Sequence, residues 1–151
     1  MAKLLFTMDL PEKRIASLIT GILELDYEDD RGSIHYLATS GAPGRQHPDF
    51  FWRQGGLGPL PPGEYHIPTK GYRLDHPGIN GLFFHIQPDP ISDLGRRSEL
   101  GIHWDANHKR APGTAGCIGL INKEGFDRFC DRLSQMREQG TKQLPLIVRY
   151  T

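Results

Sequence analysis

His103 and Cys117 are the two side chains whose types and spacing could do chemistry together. They stand fourteen positions apart within Gly101 to Leu120, GIHWDANHKRAPGTAGCIGL. A cysteine thiol has an unperturbed pKa of about 8.5, so only a few per cent is thiolate at neutral pH. An imidazole within reach supplies a base for the missing deprotonation. Glycine before a cysteine lets the backbone bend closely around the sulfur, and Gly113 and Gly116 can take the φ > 0 conformations that such a turn needs. Successive N–H groups in a turn of this kind converge on one point and form an oxyanion hole, worth about 3 kcal/mol per donor in the transition state. Gly116 and Cys117 are the expected donors. The chemistry these residues specify is acyl transfer through a thioester, with Cys117 as nucleophile and His103 as base and then acid.

Two short strands must hold that pair. Leu100 to Trp104 ends close to the histidine, and the apolar run Cys117 to Ile121 leads away from the cysteine. A loop between them brings the two side chains together. Upstream, Leu23, Leu25 and Tyr27 alternate with Glu24 and Asp26, Asp29 to Gly32 supplies a turn, and Ile34, Tyr36 and Ala38 resume the alternation, so residues 21–41 predict a half-buried hairpin. Residues 42–57 lack either period and predict a long loop. Phe50, Phe51 and Trp52 within it are costly to expose together, so the loop packs on the core or borders a groove. Tyr65 to Ile67, Leu82 to Ile86 and Leu144 to Tyr150 read as further strands, with Pro145 placing the beginning of the last one at a sheet edge. One helix is expected: Phe126, Phe129, Cys130, Leu133 and Met136 form a helical stripe, Asn122 is the N-cap, Glu124 suits the first turn and Gly140 the stop. Cys130 is expected to be a small buried apolar residue of that stripe.

Composition narrows the field. The 151 residues suit a single domain, 1–151, able to bury about two-thirds of its unfolded surface. Eighteen basic and eighteen acidic residues cancel, which removes the electrostatic case for nucleic acid or a membrane surface as partner. No stretch approaches transmembrane length. Eighteen glycines and twelve prolines favour a turn-rich β domain over a helical bundle. The apolar start Met1 to Met8 is cut by Asp9, so it does not read as an export signal. His103, Asp105, His108 and Cys117 carry ligand-type side chains, yet their spacing matches no strong zinc pattern, and neither a metal nor a cofactor is expected. His85 either orients the pair or binds substrate, or is a polar residue on an exposed strand face. His35, His47, His66 and His76 read as surface or turn polarity.

The segment Ile102-His103 followed by Thr114-Ala115-Gly116-Cys117-Ile118 resembles the catalytic signature of the L,D-transpeptidase (YkuD-type) family. Two more elements are similar to that family in the same order: Tyr36 to Gly41, a strand ending in Ser-Gly, and Gly58 to Ile67, a Gly-Pro turn leading into a strand. One departure stands out. The family usually carries arginine two positions after the cysteine, where this chain has Gly119, and the Gly-Cys-Ile-Gly-Leu form is more similar to phage-associated and secreted-effector relatives. The resemblance implies a mainly-β sandwich or barrel with one α-helix in the C-terminal half. It implies action on peptidoglycan stem peptides without a cofactor, and a monomer is expected. Transpeptidation, D-amino-acid exchange and L,D-carboxypeptidation stay open. Thr114 and His85 become candidate substrate-binding residues, and Arg96, Arg97 or Arg110 candidates for the carboxylate contact that Gly119 cannot make. Without an export signal, such a protein would be made in a bacterial cytoplasm and delivered to the periplasm or cell wall by phage or secretion machinery. An inactive cell-wall-binding module and a metal-dependent peptidoglycan hydrolase are the competing readings.

Overall fold

Alternation of apolar residues along the strands decides which face of the sheet is core. The computed structural model describes residues 1–52, 57–76, 79–88, 100–106, 113–114 and 116–151. Its strands are β1 (Lys3–Met8), β2 (Gly21–Asp26), β3 (Ser33–Ser40), β4 (Gly63–Pro68), β5 (Tyr72–His76), β6 (Ile79–His85), β7 (Gln87–Pro88), β8 (Gly101–Trp104), β9 (Ile118–Leu120) and β10 (Gln143–Tyr150). Among the described residues one α-helix, α1, spans Lys123–Glu138 between β9 and β10, and a single 3-10 turn covers Pro48–Phe50. The strands form one mixed sheet in the order β5-β6-β8-β9-β3-β2-β1-β10-β4-β7. The expected mainly-β fold with one helix is therefore what the chain adopts. β4 also touches β6, near the opposite end of that order, so the sheet brings its two halves into contact.

Cross-strand rows give the core its continuity. Leu25 pairs with Leu4, Leu4 with Leu146 and Leu146 with Tyr65, while Tyr36 pairs with Leu23, Leu23 with Phe6 and Phe6 with Val148. All eight are buried. Burying aliphatic or aromatic side chains of this size stabilises by about 1.5–3 kcal/mol each. The same face continues through Phe84, Ile102 and Ile118, and α1 lies against it. Phe129 meets the rings of Tyr36 and Phe84 edge-on, at 5.5 and 5.6 Å between centroids. The helix begins as expected, with Asn122 Oδ1 accepting from Gly125 N at 3.0 Å. At its end Gly140 takes φ +98°, Gly140 N donates to Arg137 O and Thr141 N donates to Met136 O, a Schellman closure.

One expectation needs correction and two are refined. β10 lies between β1 and β4, but its described ladder to β1 starts at Leu146, so Gln143 to Pro145 pair with β4 alone and the proline sits in the edge-like beginning of the strand, as expected. Cys130 is half-buried rather than buried. Its thiol pKa is pushed up to about 12 by burial first and by Asp127 and Asp131 next, so it is a poor nucleophile. The aromatic run at 50–52 divides its loyalties. Phe50 is buried with the guanidinium groups of Arg14 and Arg45 near its ring, Phe51 packs on Tyr150, and Trp52 stays half exposed. β1 and β5 were not anticipated as strands.

Candidate active site

Strand register, rather than a shared loop, brings the cysteine and the histidine together. β8 and β9 are parallel neighbours, with Ile102 opposite Ile118 and His103 opposite Gly119. Side chains alternate across a strand, so His103 and position 119 lie on the side away from α1, and carrying that alternation back from Gly119 to the residue just before β9 puts Cys117 on the same side. Cys117 sits two residues before Gly119, one strand over from the histidine. With strands about 4.8 Å apart and a rise of about 3.3 Å per residue, their Cα atoms are diagonal neighbours about 8 Å apart. Gly119 has no side chain to come between them.

Several groups fix the histidine. His103 is 4% exposed. Its Nδ1 lies 2.8 Å from the Trp104 carbonyl oxygen, which can only accept, so Nδ1 carries the proton and Nε2 the lone pair. A backbone carbonyl thus orients the ring. Phe83, directly opposite on β6, stacks on the imidazole at 6.1 Å and 14° between planes. Burial pulls the His103 pKa below its ordinary 6.5, and the hydrogen bond to Trp104 opposes this more weakly. The imidazole is therefore neutral at pH 7, as a base must be. His85, two residues from Phe83 on the same strand and opposite Gly101, shares this face and is half-buried.

The turn that carries Cys117 is tied down by Thr114. Its hydroxyl accepts from Gly41 N at 3.0 Å and from Gly116 N at 3.2 Å, and donates to Cys117 O at 2.6 Å. These bonds bear on two sequence expectations. Thr114 is buried and its hydroxyl is engaged within the turn, where it holds the cysteine segment. Gly116 N–H is engaged by Thr114, so it does not stand ready as an oxyanion donor. Gly116 still contributes its backbone: φ is +121° there and +92° at Gly113.

The three motif segments, far apart in sequence, meet at this turn. Ser40 Oγ donates to Gly116 O at 3.4 Å and accepts from Leu60 N at 2.8 Å. Thr114 N donates to Gly41 O at 3.0 Å. A Cβ at Gly41 would lie 2.8 Å from Pro59 N, and one at Gly113 would lie 2.6 Å from Gly41 O, so both glycines are required by close backbone approach as well as by φ. Asp105, buried on the His103 side of its strand, accepts from Gly113 N at 2.9 Å and fixes the far end of the loop.

Position 119 now has a physical account. A Cβ there would meet Thr114 Cγ2 at 2.9 Å and Asp105 Cβ at 3.2 Å, so the space from which an arginine would emerge is already filled. Arg96, Arg97, Arg110 and His108 lie outside the described residues. Among the described residues no three His, Cys, Asp or Glu side chains converge as metal ligands. The structural roles of Trp104, Phe83 and Ser40 were missed in the sequence, and Asp105 was weighed solely as a metal ligand. Position parity could have flagged Asp105, since it lies two residues beyond His103 in an extended run. Comparison of the chain with protein-family models, with curated proteins and with solved structures finds no match.

Proposed function

We propose that this protein is a cysteine-dependent acyltransferase acting on peptidoglycan stem peptides. The observation that carries the reading is the juxtaposition of Cys117 with a neutral, oriented His103 across the β8–β9 pair. Convergence of the Ser40-Gly41, Gly58 to Leu60 and Thr114 to Cys117 segments supports it, because these are the segments on which the family resemblance rests. His103 Nε2 takes the thiol proton as Cys117 Sγ attacks a carbonyl carbon. The tetrahedral intermediate collapses with cleavage of the C–N bond, and the imidazolium returns its proton to the leaving amine. An incoming amine or water then resolves the thioester and frees the thiol.

The acyl donor in this reading is a stem tetrapeptide cleaved after its third residue with release of D-alanine. An amine acceptor gives a cross-link or an exchanged D-amino acid, and water gives L,D-carboxypeptidase activity. The test is intact-protein mass after incubation with a disaccharide tetrapeptide, followed by product analysis. A covalent adduct on Cys117 together with D-alanine release is expected, abolished by thiol alkylation and untouched by chelator. Turnover that survives alkylation and stops with chelator would make a metal-dependent hydrolase the better account. Neither adduct nor product, in a folded protein, would leave a binding module.

A further inference from the structure

The described face around His103 holds one contact that neither the hydrogen-bond network nor the motif residues require. Phe83 lies flat beside the imidazole, and it can do so because the residue two positions before His103 on β8, on the same face, is glycine. A methyl group at Gly101 would sit 2.2, 2.5 and 2.7 Å from three carbons of the Phe83 ring. Contacts under 3 Å to a ring held in a core cannot be relieved by a rotation about one flexible bond. Phe83 is itself 2% exposed, with Tyr72 against its other side at 5.4 Å.

We propose that Phe83, seated over Gly101, is a positioning residue that sets both the plane and the hydration of the His103 imidazole. The inference rests on the acid–base role proposed for His103. Two restraints then act on one ring. The Trp104 carbonyl holds Nδ1 but leaves the ring free to pivot about that hydrogen bond, and the parallel stack at 14° removes the pivot. The result is that Nε2 keeps one direction, on the face that carries Cys117. The same stack excludes water from one side of the imidazole, which works in the direction of the lowered pKa. Among the described residues the other titratable groups on this face around His103 are Tyr72 from β5, His85 from β6, Asp105 just beyond β8 and Cys117 itself. All four stay in place in the variants below.

The experiment reads Cys117 rather than turnover, so it does not depend on the substrate. The full-length protein, with Cys130→Ala to leave a single thiol, is alkylated with iodoacetamide across pH 4.5 to 8.5 and the modified fraction is followed by mass. In the parent the rate should rise with pH through a midpoint below 6.5, as His103 loses its proton. Phe83→Leu and Gly101→Ala should each move that midpoint upward, toward the ordinary histidine value, and lower the plateau rate several-fold. Phe83→Tyr, which keeps the ring, should retain the parental midpoint. Circular dichroism establishes which variants are folded, and the two disturbing changes act from opposite sides of the same contact. A merely structural role would lower stability in both without moving the midpoint. Folded Phe83→Leu and Gly101→Ala proteins with the parental midpoint would overturn the inference. Indifference of the parental profile to His103→Ala would overturn the base assignment itself, a failure distinct from the absence of activity on peptidoglycan.

Discussion

Placing a methyl group at position 119 should destabilise the protein, against the usual sign for this substitution in a strand. Glycine inside a strand is ordinarily less stable than alanine by about 0.5–1 kcal/mol, for entropic reasons. Here the added Cβ would lie 2.9 Å from Thr114 Cγ2 and 3.2 Å from Asp105 Cβ. Thr114 cannot step aside without disturbing the three hydrogen bonds of its hydroxyl, and Asp105 is held by Gly113 N. Overpacking of this kind costs about 1–3 kcal/mol. The net expectation for Gly119→Ala is a loss of about 1–2 kcal/mol, or about 3–6 °C in Tm for a domain of this size. Urea denaturation with an unchanged m-value is the assay. Thr114→Ser supplies the control, since it removes Cγ2 and keeps the hydroxyl. Combined with Gly119→Ala it should recover most of the loss, giving a coupling of about 1 kcal/mol in the double-mutant cycle. A Gly119→Ala protein as stable as the parent, or losses that simply add, would refute the crowding account. Gly119→Arg starts from the same Cβ and should be at least as destabilising, rather than restoring a carboxylate contact.

Three further outcomes are expected. Cys117→Ala should abolish thioester formation and leave the circular dichroism spectrum unchanged, whereas Cys130→Ala should keep activity and lose about 1 kcal/mol, as for other small deletions at a core margin. Thr114→Val should lower stability by about 2–4 kcal/mol, because it strands Gly41 N, Gly116 N and Cys117 O together, and thiol reactivity should fall with it. The pH dependence of stability follows from His103, whose folded pKa lies below its ordinary 6.5. Its contribution is complete above 6.5 and is lost as pH falls from there toward the folded value, because the unfolded chain takes up the proton first. Thermal melts between pH 7.5 and 5 should show that loss, and His103→Gln should flatten it.

Much of the fold was legible because its signals are local. Leu23 to Asp26 and Ile34 to Ala38 alternate cleanly, and β2 and β3 form with the expected pairing around Gly32. The helix carries its own cap, stripe and stop within residues 122–140. β1 was harder to see, because Leu4-Leu5-Phe6 blurs its alternation and its partner in the parallel ladder, β10, lies at the other end of the chain. Pro145 was legible because proline reports locally on its own missing N–H, and the described ladder to β1 begins only after it, at Leu146. At the site, His103, Cys117 and the flanking glycines stand out by residue type alone. Thr114 was expected to touch substrate because a hydroxyl beside a nucleophile has many uses, and burial is what selects among them. Phe83 could not be found by type, since a phenylalanine on a strand is ordinarily core.

The joint between Ser40 and Gly116 has a kinetic meaning. It spans 76 positions, and the Gly41–Thr114 joint spans 73. The helix and the β2–β3 hairpin involve near neighbours and belong to the microsecond events of folding, whereas contacts of such long range await closure of large loops. The turn around Cys117 therefore depends on long-range contacts, and its geometry is complete only when the β3, β8 and β9 strands have come together.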